Sequence, residues 1–194
     1  MSAAGAFDAD SGPRVERTRF GIWLFLASEA MFFAGLLSAF VALKDGSPRF
    51  GAADGHLATA QAAIATALLV VSSFTMSRAR AAIGRGDTRA LIRFLIVTLA
   101  LGTVFLALQG SEFASLARAE ITPRTNLFWS SFFVLTSVHA LHVAVGLVWI
   151  AVVSIGARGA RFSREDHVSV VNVGLYWHFV DVVWIVLFTV LYIV

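Results

Sequence analysis

The chain alternates between long apolar segments and short polar connections. Five segments are long enough to cross a bilayer, which requires about 20 residues in a helix. They occupy approximately residues 20–43, 57–77, 91–111, 126–155 and 168–193. Strands of a membrane barrel would be about 10 residues long and would alternate in polarity, which these segments do not. The pattern therefore predicts an all-α polytopic membrane protein, a bundle of five transmembrane helices in a single domain over residues 20–194.

The connecting segments predict an orientation. Residues 1–19 are polar and lack the apolar core of a signal peptide, so we expect a flexible cytoplasmic tail followed by a retained first helix. Eleven of the 15 Lys and Arg residues lie in this tail and in the second and fourth connections. Because cytoplasmic connections are enriched in Lys and Arg, the N-terminus is predicted to be cytoplasmic and the C-terminus outside.

Composition narrows the function classes. The 194 residues are 58% hydrophobic and 14% charged, too few charges to cover the surface of a water-soluble domain. The absence of cysteine excludes disulfides, thiolate-bound zinc, iron–sulfur clusters and a cysteine nucleophile. The net charge of +3 follows from basic residues lying between apolar segments, so it does not indicate nucleic-acid binding.

Ionisable residues inside the apolar segments are the candidate functional residues. Such residues are costly in a membrane and are usually functional. They are Glu29, His139, His142, His178 and Asp181. His139 and His142 are three residues apart, as are His178 and Asp181, so each pair should share a helix face.

The five ionisable residues could lie in one layer near the membrane centre, and three interpretations remain open. The first is a metal or haem site, since imidazoles and carboxylates in a helix bundle form such sites. The second is a proton path or a buried acid, with Glu29 protonated at neutral pH. The third, which we favour, is a set of hydrogen bonds between helices, from Glu29 or Asp181 to an imidazole.

Four sequence blocks resemble subunit III of haem–copper terminal oxidases. The most specific is YWHFVDVVW at 176–184, which matches the C-terminal signature of that family. The other blocks are WLFLASEAMFFAG at 23–35, QGSEF at 109–113 and TSVHALHVAVG at 136–146. Together they cover the chain from the first apolar segment to its end, in the order of the family.

The resemblance implies a non-catalytic subunit of an aerobic cytochrome c oxidase, in its short five-helix bacterial form. Such a chain would lie in the bacterial inner membrane beside catalytic subunit I, with subunit II among its other partners. It would carry no haem, copper or other metal of its own. It would hold phospholipid in a cleft that another subunit completes, and it would support proton uptake during oxygen reduction.

The resemblance also assigns residues. Glu29 matches the buried carboxylate of the family that reacts with a carbodiimide, and Glu112 belongs to the third-segment block. Basic residues at the cytoplasmic ends of the helices are candidate contacts for lipid headgroups. They are Arg78, Arg80, Arg158 and Arg161.

Other functions compete with this interpretation. The close alternatives are subunit III of a quinol oxidase and the accessory subunit of a nitric oxide reductase, because the electron donor binds elsewhere. A different class is a membrane oxidoreductase that carries its own haem on His139, His142 or His178. A transporter is disfavoured because the chain shows no internal repeat.

Overall fold

The computed structural model is all-helical over the residues that it describes, which are 11–47, 50–51, 57–158 and 168–193. Each of the five helices is long and apolar enough to cross a membrane. The helices are α1 (Ser11–Gly46), α2 (Thr59–Gly84), α3 (Thr88–Arg118), α4 (Leu127–Arg158) and α5 (Val168–Phe188). Helix α5 continues into one π-helical turn, Thr189–Ile193. The predicted class, a five-helix membrane bundle, is confirmed.

The helices extend beyond the apolar segments that predicted them. Helix α1 begins at Ser11 and not at residue 20, so part of the predicted tail is helical, while residues 1–10 lie outside the described part. Helix α2 continues to Gly84 and α3 already begins at Thr88. Hydropathy marks only the part of a helix that lies in hydrocarbon, and Arg is a good helix former that continues the helix into the headgroup region.

The turn between α2 and α3 is short because its residues suit a sharp reversal. Gly86 has φ +75°, a conformation that glycine adopts without a steric penalty. The Asp87 side chain then accepts a hydrogen bond from the Ala90 N–H at 2.9 Å, which caps the start of α3. The two helices consequently form an antiparallel hairpin with the most extensive contact in the bundle.

Helix α5 is the most enclosed helix and α1 the least. In the most apolar 18-residue stretch of each helix, half of the residues of α5 are buried, against 17% of those of α1. Helix α5 packs on α2 and α4, while α1 packs on α4 and α5 and exposes much of its apolar surface. Polar groups on α5 therefore face other helices, whereas those on α1 lie at the edge of the bundle.

Trp177 on α5 fills the centre of the bundle. Its ring lies where a Cβ on Gly102 or Gly146 would stand, at 2.7 Å and 3.0 Å respectively. Its indole N–H donates to the Ser72 Oγ at 2.9 Å. Small residues let helices approach closely in lipid, where apolar surface gives little drive to associate. The two glycines on α3 and α4 therefore set how close these helices come to α5.

Candidate functional site

Glu29 and His142 form a hydrogen-bonded pair between α1 and α4. The Glu29 Oε2 lies 2.9 Å from the His142 Nε2, and both side chains are about four-fifths buried. Phe33 packs its ring edge-to-face on the imidazole, with centroids 5.0 Å apart. The sequence predicted a hydrogen bond from Glu29 or Asp181 to an imidazole of another helix. The structure has this contact for Glu29.

The partners of His142 show how many protons the pair holds. The His142 Nδ1 lies 2.8 Å from the Val138 carbonyl oxygen, which can only accept, so Nδ1 carries a hydrogen. The Nε2 then either accepts from a protonated Glu29 or donates to the Glu29 carboxylate. In both arrangements a single proton lies between the two side chains. The Tyr176 hydroxyl donates to the His142 carbonyl oxygen at 2.9 Å, which joins α5 to the same turn of α4.

His178 and Asp181 belong to a second cluster, between α5 and α2. The His178 Nδ1 lies 2.7 Å from the Ser73 Oγ, and its Nε2 lies 3.4 Å from the Ser77 Oγ. Asp181 lies one turn beyond His178 on the same face of α5. Its carboxyl makes no hydrogen bond, since neither oxygen has a partner among the described residues. The expected contact of Asp181 with an imidazole is absent from this described part of the chain.

His139 lies apart from both clusters, in the aromatic core. Its imidazole stacks on Trp184 with centroids 5.0 Å apart and meets the edge of Phe105 at 5.8 Å. It is 1% exposed, and neither ring nitrogen has a hydrogen-bond partner within the described residues. His139 and His142 therefore contact different helices, although the spacing placed them on one face.

Glu112 forms a third cluster, at the opposite end of the bundle from the α2–α3 turn. The Tyr192 hydroxyl donates to the Glu112 Oε2 at 2.7 Å, and the Gln109 amide lies 3.4 Å from the same oxygen. The other carboxyl oxygen accepts from the Ala58 N–H at 3.4 Å. Glu112 thereby links α3 to the start of α2 and to the final turn of the described chain.

The five ionisable residues could form one facing layer only if their helices turned these faces toward each other, and the described helices do not. Within the described ranges no group of three or more His, Asp and Glu residues is placed to hold a metal ion. The reason is rotation about the helix axes. His142 faces α1, His178 faces α2, and His139 faces the aromatic residues of α3 and α5. Three imidazoles with different neighbours give no shared ligand set for a haem or metal ion.

Three of the four candidate headgroup residues lie in the last two turns of a helix, Arg78 and Arg80 in α2 and Arg158 in α4. Arg78 is exposed, with its guanidinium 4.9 Å from the centre of the Phe74 ring. The stem of Arg80 passes over Gly174, and Arg158 closes α4. Arg161 lies outside the described residues. Their role as contacts for lipid headgroups stays a prediction.

Sequence reasoning missed the hydroxyls that contact these ionisable groups. Ser73 and Ser77 contact His178, and Tyr192 contacts Glu112. The only available signal was spacing, because Ser73 and Ser77 are four residues apart and so lie on one helix face. Serine is common in membrane helices, where it usually bonds its own backbone. That spacing alone could not identify the partner.

Comparison with known proteins assigns the chain to a family. A family model described as cytochrome c oxidase subunit III matches residues 1–194. The chain belongs to the cytochrome c oxidase subunit III family. It is 39% identical to cytochrome c oxidase subunit 3 of Synechocystis sp., over 89% of this chain and 74% of the relative. It is 35% identical to the subunit of the same name from Thermostichus vulcanus, over 89% and 85% of the two chains.

Membership confirms the resemblance drawn from the four sequence blocks. This subunit III is a multi-pass membrane protein and an accessory subunit of a terminal oxidase, without a catalytic centre of its own. The chain is also 34% identical to quinol oxidase subunit 3 of Bacillus subtilis, over 89% of this chain and 84% of the relative. The family therefore includes both kinds of oxidase among the relatives of this chain.

Proposed function

We propose that the chain is subunit III of an aerobic cytochrome c oxidase in a bacterial inner membrane. It packs beside the haem–copper subunit I, in a complex that includes subunit II, and stabilises that complex. The observation that carries this proposal is the similarity to two cytochrome c oxidase subunits 3, at 39% and 35% identity. Ionisable groups that join helices support the stabilising role. Glu29 bonds His142 between α1 and α4, and Glu112 bonds Tyr192 between α3 and the final turn. Haem and copper belong to the partner subunits.

Helix α1 supplies the surface for that assembly. It exposes large apolar side chains, among them Phe20, Trp23 and Met31, and packs on its own chain along only part of its circumference. We propose that lipid and a partner subunit cover this surface, and that ordered phospholipid with the Arg78 guanidinium at its headgroups supports proton uptake in the neighbouring subunit. A cationic side chain near the interface interacts favourably with anionic headgroups.

Subunit III of a quinol oxidase is the second candidate, favoured by the similarity to the Bacillus subtilis relative. The electron donor acts on another subunit, so the fold of this chain suits both. Purified complex should be assayed with reduced cytochrome c and with a quinol. Oxidation of cytochrome c supports the first candidate, and oxidation of quinol alone supports the second.

Purification with a tag on this chain tests the accessory role. After mild solubilisation, mass spectrometry should identify a large haem–copper subunit in the eluate. Oxidase stripped of this chain should begin turnover at a similar rate and lose activity sooner than the intact complex. A Soret band and stoichiometric iron in the isolated chain would instead support an oxidoreductase with its own haem.

Replacing Glu29 tests the link between α1 and α4. In Glu29→Gln the amide N–H donates to the His142 Nε2, while the His142 Nδ1 keeps its hydrogen bond to the Val138 carbonyl oxygen. The chain should therefore stay in the complex, with a modest change in turnover. In Glu29→Leu the imidazole loses its partner, at a cost of about 1–3 kcal/mol. We expect the second variant to dissociate at a lower detergent concentration, measured by subunit stoichiometry after graded washing.

Ser28→Ala is the matched control, because the Ser28 side chain is exposed and bonds only the Phe25 carbonyl in its own helix. It should dissociate like the parent. If Glu29→Gln dissociates as readily as Glu29→Leu, the negative charge and not the shared hydrogen bond holds α1. Loss of haem from the Glu29→Gln complex would contradict the accessory role.

A further inference from the structure

A row of polar side chains runs between α2 and α5 from an exposed residue to a buried one. Ser77 is exposed, Ser73 and His178 are half-buried, and Asp181 is 4% exposed. Ser77 lies less than one turn from Arg78 and Arg80, which the distribution of basic residues places at the predicted cytoplasmic end. The row therefore leads from that end into the core of the bundle.

Hydrogen-bond directions along the row follow from its fixed acceptors. The Ser77 hydroxyl donates to the Ser73 carbonyl oxygen at 3.1 Å, which leaves the Ser77 Oγ to accept from the His178 Nε2 at 3.4 Å. With its hydrogen on Nε2, a neutral His178 accepts at Nδ1 from the Ser73 hydroxyl at 2.7 Å. The Ser73 Oγ then has only lone pairs to offer Asp181, and these suit a carboxyl that carries a proton.

Asp181 is the one member of the row without a completed hydrogen bond. Both of its oxygens are buried and lack a partner among the residues described, and the residue lies one turn from His178 on the same face of α5. A buried ionised carboxyl without partners is far more costly than a protonated one. A hydrogen bond from a protonated Asp181 to the Ser73 Oγ would complete the row. The residue is thus placed to hold a proton and to pass it to a hydroxyl.

We propose that Asp181 is a proton-exchanging carboxyl, connected to the predicted cytoplasmic side of the membrane through Ser73, His178 and Ser77. The shared proton of Glu29 and His142 lies in a different cluster, between α1 and α4, and is not part of this route. All four side chains of the route belong to this subunit, so the route is the same in a cytochrome c oxidase and in a quinol oxidase.

The proton moves along the row without any other reactant. Asp181 gives its proton to the Ser73 Oγ, and the Ser73 hydroxyl proton passes to the His178 Nδ1. The His178 Nε2 proton leaves to Ser77 or to water at the exposed end, so the net change is one proton released and one carboxylate formed. Uptake is the reverse sequence.

Infrared spectroscopy of the intact complex tests the route. The carbonyl stretch of a protonated carboxyl shifts when its proton is replaced by deuterium, and the band of Asp181 is identified by its loss in Asp181→Asn. After transfer to D₂O, we expect this band to shift at least about tenfold more slowly in Ser73→Ala than in the parent. His178→Phe should slow it by a similar factor. Ser73→Ala removes one oxygen atom and is the variant least disturbing to folding.

His139→Phe is the matched control, because it removes an imidazole from the core that is not part of the row and keeps an aromatic ring between Phe105 and Trp184. It should leave the exchange rate of Asp181 unchanged. Equal rates in the parent and in Ser73→Ala would overturn the proposal, as would the absence of any protonated carboxyl band that Asp181→Asn removes. Equal slowing by His139→Phe would show that general loosening, and not the route, controls exchange.

Discussion

Replacing Trp177 by alanine should be among the most destabilising single changes in this chain. The Trp177 side chain is 0% exposed, its indole N–H donates to Ser72, and its ring fills the space above Gly102 and Gly146. Truncating a buried Trp leaves a cavity and costs about 3–5 kcal/mol. We expect the variant to lower the melting temperature of the subunit within the complex and to release it during purification.

Val152→Ala is the control for Trp177→Ala, because the Val152 side chain is 61% exposed and belongs to α4, not to the α1 surface. Its melting temperature should stay close to that of the parent. Trp177→Phe should be intermediate, since it keeps part of the ring and loses the hydrogen bond to Ser72. If Trp177→Ala and Val152→Ala have the same melting temperature, the close packing around Trp177 does not hold the bundle.

The five helices could be predicted from sequence because their signal is local. A long apolar run must form a helix in lipid, since every backbone polar group needs a partner within the segment. The ends of the helices could not be predicted in the same way. Ser11 and Gly84 lie in polar stretches where hydropathy carries no information about helix geometry.

The candidate residues could be predicted from sequence, but their hydrogen-bond partners could not. A carboxyl or imidazole in an apolar segment is recognisable as a candidate functional residue from sequence alone, as Glu29 and Asp181 were. Its partner depends on how each helix is rotated about its axis, and that rotation is set by packing between residues far apart in sequence. Trp177 against Gly102 and Gly146 fixes α5 against α3 and α4. With this rotation, Asp181 makes no hydrogen bond to an imidazole among the described residues.

Gly102→Ala tests that packing from the opposite side, and it should destabilise the subunit by about 1–3 kcal/mol. A Cβ at residue 102 would stand 2.7 Å from the Leu147 Cδ2 and 2.7 Å from the Trp177 Cη2. The leucine methyl can turn aside, but the indole is held by its hydrogen bond to Ser72. Helix α3 must therefore move away from α5, which lowers the melting temperature of the subunit in the complex.

Gly110→Ala provides a control on the same helix, because a Cβ there would meet nothing within 4 Å. It should be neutral or slightly stabilising, since alanine favours helix over glycine by about 1 kcal/mol. Adding Trp177→Phe to Gly102→Ala should recover part of the loss, because the shorter ring vacates the space that the new methyl needs. If Gly102→Ala and Gly110→Ala melt at the same temperature, close contact at Gly102 does not set the spacing of α3 and α5. The same conclusion follows if Trp177→Phe lowers the melting temperature of Gly102→Ala further. The rotation of α5 that places His178 against Ser73 would then need another cause.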